Sequence, residues 1–386
     1  AVLRQQCLAG AENRKNSGYH GGNGVRTIRI TGTGSALPGR IVTNKELEQL
    51  VETSDEWIRE RTGIAERHVS VGETVVTLAS EAARKALEQA GKRAEEIDLI
   101  LVATCSPEQY LPCCACQVQA DIGAVNALAF DVNAACSGFL FALNTADAYL
   151  RTGLAENALV IGSEVLSKLV DWKDRGSCIL FGDGAGAVVV ERCRTESRAV
   201  EYSNALPETE KGMQETAEEK RIPAAGILGR ALHSDGTGGG VLQCGARELT
   251  TPYARTSVAK TNQNQPTDGR EHYIQMDGQE VYRFATRRVP QCIEEALSDA
   301  GLAVPDIDMF VLHQANARII DAVAKRLHAD REKFPTNLER VGNLSSASIP
   351  VLLDELNRQG KLHRGDRIVL AGFGAGLTIG ACVMTW

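Results

Sequence analysis

The sequence predicts a duplicated α/β fold, and three matches at one spacing carry that prediction. "KALEQAGKRAEEIDLILVAT" (85–104) lines up with "EALSDAGLAVPDIDMFVLHQ" (295–314) at an offset of 210 residues. The same offset aligns "NAACSGF" (133–139) with "NLSSASI" (343–349) and "ALVIG" (158–162) with "IVLAG" (368–372). Each half therefore reads helix, turn, buried apolar strand, small-residue loop into a helix, then a second apolar strand ending in glycine. That is the rhythm of βαβ units on a mostly parallel sheet. In such sheets ligands bind beyond the carboxyl ends of the strands, so chemistry is expected from both halves near a pseudo-twofold axis.

Taken in chain order, residues 1–26 are rich in Gly, Asn and Gln, lack apolar periodicity, and carry Arg4, Arg14, Lys15 and Arg26 against Glu12 alone. They read as a tail, the remnant of an organelle transit peptide or a disordered extension. The first half is expected over 27–200. A connecting region follows over 201–272, where "ALPETEKGMQETAEEK" and "SVAKTNQNQPTDGR" have the composition of solvated surface insertions. The second half is expected over 273–386. The glycine strings "FGDGAGA" (181–187) and "GFGAGLTIG" (372–380) lack the lysine of a P-loop and the placement of a dinucleotide fingerprint. They fit close backbone approach between the halves.

The totals exclude several function classes. Across 386 residues the hydrophobic content is 43%, enough for a substantial core, and no apolar run approaches the roughly 18 residues of a membrane span. A net charge of −7 argues against nucleic acid as the main partner. The eleven cysteines form an odd set without the spacing of a small disulfide scaffold, which points to a reducing compartment. Cys113 and Cys116 form a lone CxxC with no second pair, so no metal is expected.

Three residues stand out chemically, each in a loop after a strand. Cys136 precedes "GFLFALNTADAYL", whose apolar residues recur at helical spacing, so its thiol sits near a helix N-terminus that favours a thiolate. His313 closes the apolar strand "IDMFVLH", at the position aligned with Ala103. Asn343 lies on the loop aligned with that of Cys136, whose own counterpart is Ser346. Singly, these residues read as a core cysteine, a strand-end imidazole and a turn asparagine. Together, a Cys nucleophile with a His and an Asn suits hydrolysis, where His deprotonates Cys, or acyl condensation, where His and Asn donate to a thioester oxygen.

From about residue 27 to Trp386 the sequence resembles the β-ketoacyl-[acyl-carrier-protein] synthase III family of condensing enzymes. The resemblance rests on "GTGSALPGRIVTN", "TSDEWIRERTGIAERH", "NAACSGF", "DRGSCILFGDGAGA", "HQANARIIDA" and "GNLSSASIP", found in family order. It implies a thiolase-like, five-layered αβαβα fold with two pseudo-twofold-related halves. It also implies that Cys136 accepts an acyl group from acyl-CoA, and that His313 and Asn343 bind the thioester carbonyl of malonyl-acyl-carrier protein during decarboxylation. The backbone N–H groups of Cys136 and Ala375 would form the oxyanion hole. Trp57, Arg61 and Arg175 match residues at the CoA nucleotide, and their chemistry suits an aromatic base and phosphates. Arg318, Lys325 and Arg326 would dock the acidic carrier protein. No cofactor is implied, because acyl-CoA is a substrate, and a homodimer is the family expectation.

Departures from the family pattern affect details. Leu111 stands where many bacterial relatives carry a phenylalanine that closes the partner subunit's acyl pocket, leaving primer length open. Cys136 and His313 are 177 residues apart, more than in compact bacterial relatives, with the excess in the polar middle region. Ala375 replaces a common glycine and Ile379 a common tryptophan. "MDGQEVYRFA" and "GFGAGL" are closer to cyanobacterial and plastid members, which with the basic tail predicts the plastid stroma; a bacterial cytoplasm is the alternative.

Overall fold

The computed structural model describes residues 26–194, 226–245 and 272–386; the expected tail up to residue 25 and most of the polar middle region lie outside them. Two sheets form the frame. The first uses β1 (Arg26–Ala36), β2 (Leu99–Ala103), β3 (Leu128–Val132), β4 (Asn157–Val165) and β5 (Asp183–Arg194), in the order β1-β5-β4-β2-β3. The second uses β6 (Gly226–Ser234), β7 (Met309–Leu312), β8 (Arg367–Gly374) and β9 (Thr378–Thr385), in the order β7-β8-β9-β6. β2 runs parallel to β3 and β4 in one sheet and β7 parallel to β8 in the other, while the pairs β4–β5 and β8–β9 are antiparallel.

The helices that matter for the site are α1 (Asp55–Thr62), α2 (Val75–Ala90), α3 (Cys114–Ile122), α4 (Gly138–Thr152), α5 (Gly278–Ala300), α6 (Ala317–Arg326) and α7 (Ser348–Arg358). α4 and α7 lie between the sheets, and α2 with α3 and α5 with α6 cover the outer faces. Strand β2 shows why five layers result. Its Leu99, Leu101 and Ala103 join the central core while Ile100 and Val102 join the α2 side, so an uninterrupted apolar run is buried on both faces.

The offset of 210 residues recurs in the backbone. The 3-10 turn Ala94–Glu96 before β2 matches Val304–Asp306 before β7, and the turn Ala135–Ser137 matches Ser345–Ala347. The halves are tied through a reciprocal pair of buried acids. Asp147 of α4 accepts from Arg230 of β6 at 2.7 Å, and Asp354 of α7 accepts from Thr33 and Ser35 of β1 at 2.8 and 2.6 Å. Each middle helix thus uses an aspartate to hold the edge strand of the opposite half.

Strand β6 belongs to the second sheet. It lies inside the stretch read from sequence as connecting, yet it pairs with β9 from Thr378↔Ser234 to Thr385↔Gly226. Its segment "GILGRALHS" interrupts the apolar alternation with glycines, an arginine and a histidine. Those residues are explained by packing: a Cβ on Gly229 would meet the Ala296 carbonyl of α5 at 2.3 Å, and Arg230 serves Asp147.

Candidate active site

Strand β3 leads into a tight turn in which Ala135 has φ +46°, the left-handed region rare for residues with a side chain. That turn places Cys136 immediately before α4, as the apolar periodicity predicts, with 9% of the residue exposed. The end of β8 presses against it, and a Cβ at Gly374 would lie 2.6 Å from the Cys136 nitrogen. Ser137 Oγ and Thr378 Oγ1 are 2.6 Å apart, and Thr378 Oγ1 also lies 3.1 Å from the carbonyl oxygens of Ala134 and Ala375. The 375–378 turn is thereby fastened to the Cys136 turn.

His313 follows β7, and its N–H donates to the Ala371 carbonyl at 2.8 Å. Its ring stands edge-on to Phe373 with centroids 5.6 Å apart, and Nδ1 is buried without a hydrogen-bond partner among the described residues. Burial lowers its pKa to about 3, so the imidazole is neutral at neutral pH, with one N–H and one lone pair. Asn343 is fixed at both ends. Its backbone pairs with Leu180 and Gly182, and its Oδ1 accepts from the Ser345 N–H at 2.9 Å. That bond commits the carbonyl end of the side chain and leaves the Nδ2 donor for the cavity.

The expected convergence occurs. A cavity of about 130 Å³ is lined by Cys136, His313 and Asn343 together, with Phe181, Tyr282 and Phe373 among its other walls. Cys136 also lines a second cavity of about 450 Å³, largely apolar, with Cys105, Leu166, Leu169, Ser345 and Ala375. The thiol therefore stands at the boundary of two spaces. One correction concerns its charge. Burial dominates the helix terminus and pushes the Cys136 thiol up to about 12, with the Ser345 hydroxyl opposing that rise. The resting pair is a neutral thiol beside a neutral imidazole.

Trp57, Arg61 and Arg175, from two separate segments, also assemble. The guanidinium carbons of Arg61 and Arg175 lie 5.4 and 4.8 Å from the Trp57 ring centroid. Ser54 caps α1 by accepting from Trp57 N, and Asn316 Nδ2 donates to the Arg61 carbonyl at 2.9 Å, linking this cluster to the loop after His313. Such a group can hold a planar base and phosphates. Arg318, Lys325 and Arg326 are exposed on α6, and the Arg318 guanidinium carbon lies 5.7 Å from the ring centroid of Tyr282, a wall of the cavity that Cys136, His313 and Asn343 share.

Leu111 is not among the residues lining the cavities around Cys136. It is 85% exposed, next to exposed Tyr110 in the chain, and Val125 and Leu128 at the start of the edge strand β3 are exposed as well. Cys113 and Cys116 lie side by side, and among the described residues no group of three His, Cys, Asp or Glu could hold a metal ion. Among the described residues no helix is long and apolar enough to cross a membrane. The sequence reading missed Glu164, Ser345 and Cys105, which crowd behind Cys136. The only signal in the sequence was an acid interrupting the apolar segment "ALVIGSEVL".

Comparison with known proteins places the chain in a family. Family models described as 3-oxoacyl-[acyl-carrier-protein (ACP)] synthase III and its C-terminal region match residues 130–205 and 297–386. The beta-ketoacyl-[acyl-carrier-protein] synthase III of Clostridium acetobutylicum is 44% identical over 362 residues, covering 94% of this chain and 99% of the relative. The chain belongs to the beta-ketoacyl-[acyl-carrier-protein] synthase III family. The synthase III of Synechococcus sp. (strain WH7803) is also 44% identical, over 94% of this chain and 97% of its own. The crystal structure of the synthase III from Aquifex aeolicus superposes with a TM-score of 0.78 at 38% identity, covering 93% of this chain and all of that one. Within the synthase III family models, Cys136 falls in the first matched segment and His313, Asn343 and Ala375 in the second.

Proposed function

We propose that the protein is a 3-oxoacyl-[acyl-carrier-protein] synthase III that starts type II fatty-acid synthesis from acetyl-CoA or another short acyl-CoA. The observation that carries this reading is the shared cavity of Cys136, His313 and Asn343 in a chain of this family. The Cys136 sulfur attacks the acyl-CoA carbonyl, CoA leaves as its thiol, and the acyl group remains on Cys136. Malonyl-acyl-carrier protein then loses carbon dioxide, and its thioester oxygen takes up negative charge facing N–H donors from His313 and Asn343. A neutral His313 suits that role, since it donates without first carrying charge into a buried site. The resulting carbanion attacks the acyl-cysteine, whose oxyanion is held by the N–H groups of Cys136 and Ala375. The Cys136 sulfur departs, giving 3-oxoacyl-carrier protein.

Trp57, Arg61 and Arg175 would hold the CoA nucleotide, and Arg318, Lys325 and Arg326 would steer the acidic carrier protein. A homodimer is supported by the exposed apolar residues at the β3 edge, with Leu111 reaching a partner's acyl pocket. For location, the basic segment 1–26 favours the plastid stroma, while the bacterial origin of the relatives named above favours a bacterial cytoplasm. Import of a reporter fused to residues 1–26 into isolated chloroplasts decides between them.

The reaction is tested by mixing the protein with acetyl-CoA and malonyl-carrier protein. Stoichiometric carbon dioxide and acetoacetyl-carrier protein are expected. Release of free acid from acyl-CoA without any condensation product would instead support a thioester hydrolase or another Cys-His-Asn acyltransferase.

A further inference from the structure

Behind Cys136 lies a carboxyl group that the proposed reaction does not use. Glu164, at the end of β4, is completely buried. Its Oε2 receives Thr104 Oγ1 at 3.1 Å, Cys105 N at 3.1 Å and Ser106 Oγ at 2.5 Å. Its Oε1 faces Ser345 Oγ at 3.1 Å and Ser346 Oγ at 2.9 Å, both from the second half. Cys105 Sγ lies 3.5 Å from the same oxygen. Each of these partners is neutral, so no cation compensates a charge on Glu164 within this group.

The hydrogen count favours a neutral acid. Ser346 has one hydroxyl hydrogen and two acceptors in reach, Glu164 Oε1 and the Ala103 carbonyl at 2.8 Å. A proton on Oε1 resolves the shortage: Glu164 donates to Ser346, and Ser346 donates to Ala103. Burial also raises the Glu164 pKa, against the opposing hydrogen bonds. The titratable neighbours are Cys105 directly and Cys136 through the Ser345 hydroxyl, which reaches both thiols.

The same carboxyl fixes a strained turn. Ser345 has φ +49° and donates its N–H to Asn343 Oδ1, so the hydrogen bond to Glu164 holds the turn that aims Asn343. We propose that Glu164 is a positioning residue held as a neutral carboxylic acid, whose hydrogen bonds to Ser345 and Ser346 lock the Asn343 turn onto the end of β4 behind Cys136. The proposal rests on the assignment of Cys136 and Asn343 given above.

The test compares Glu164→Gln with Glu164→Ala in the full chain, using two readouts. The first is the pH profile of Cys136 alkylation by iodoacetamide, located by peptide mass, which needs no enzymatic turnover. The second is the kcat and KM for condensation. Glutamine keeps one acceptor oxygen and supplies donors without charge. It is expected to leave the alkylation midpoint unchanged and kcat within about threefold of the parent, whereas alanine lowers kcat by roughly 100-fold at unchanged acyl-CoA KM. A downward shift of the midpoint by a unit in Glu164→Gln would mean that a negative charge had been removed, and would overturn the proposal. So would an alanine variant with parental kcat. If Glu164→Ala does not fold, the glutamine variant alone still decides through its midpoint. A parent protein that alkylates normally but never condenses would refute the functional reading and leave the alkylation result to judge Glu164.

Discussion

The loops 133–138 and 343–348 share a backbone and differ in what they present. In each, an asparagine side chain accepts from the N–H two residues on, at 3.3 Å for Asn133 and 2.9 Å for Asn343. In each, the third residue takes a positive φ, +46° at Ala135 and +49° at Ser345, and a helix follows. The first loop spends its tip on Cys136 facing the cavities, with Asn133 exposed. The second buries its tip, Ser346, between Ala103 and Glu164, and turns Asn343 into the cavity. The two corners share a backbone course, and one presents a thiol to the cavities where the other presents an amide.

The sharpest way to break that comparison is to remove the distinguishing atoms. Cys136→Ser keeps the turn but supplies a far weaker nucleophile, and acyl transfer followed by intact mass is expected to fall by at least about 10³-fold. Moving the thiol to the other corner, in Cys136→Ala/Ser346→Cys, is expected to restore nothing, because residue 346 is directed into the buried network. Next in size, His313→Ala and Asn343→Ala should each lower malonyl decarboxylation by about 10²- to 10³-fold while leaving acylation of Cys136 largely intact. Equal loss of both half-reactions in these variants would contradict the division between corners.

Much of this was legible in one dimension. The 210-residue offset already paired Cys136 with Ser346 and His313 with Ala103, because the small residues of a tight turn and the apolar run of a doubly buried strand leave marks in composition. Trp57, Arg61 and Arg175 were found only through family resemblance, since nothing in their spacing says that two segments over 100 residues apart form one cluster. Strand β6 was hidden because its glycines and arginine answer to α5 and Asp147 rather than to a local period. Glu164 was hidden for a related reason: a buried acid in an apolar strand is explained by hydroxyl groups from four separate positions. The thiolate expected at the helix terminus failed because a local dipole was weighed without the desolvation that only the folded cavity reveals.

Smaller effects sharpen the account of the rims. Trp57→Ala should raise the KM for acyl-CoA by roughly tenfold, the scale of one lost stacking contact, with kcat nearly unchanged. Arg318→Glu should raise the KM for malonyl-carrier protein several-fold, an effect that shrinks as salt is added, while acyl-CoA loading stays unaltered. Acid acts on stability rather than on rate, with a definite sign. His313 is neutral in the fold down to about pH 3 but takes a proton near pH 6.5 when unfolded. The unfolded chain therefore binds more protons in that window, and stability should fall as pH drops from about 6.5 toward 3. Thermal melts of His313→Gln should lose part of that dependence.

The central claim is that one of two matched corners carries the acyl group. Brief incubation with acetyl-CoA, proteolysis and peptide mass mapping test it directly. The account predicts a single acetyl adduct on the peptide bearing Cys136, which disappears when malonyl-carrier protein is added. An adduct confined to Cys105 or to the 343–348 loop, or none at all across short acyl-CoAs, would contradict it.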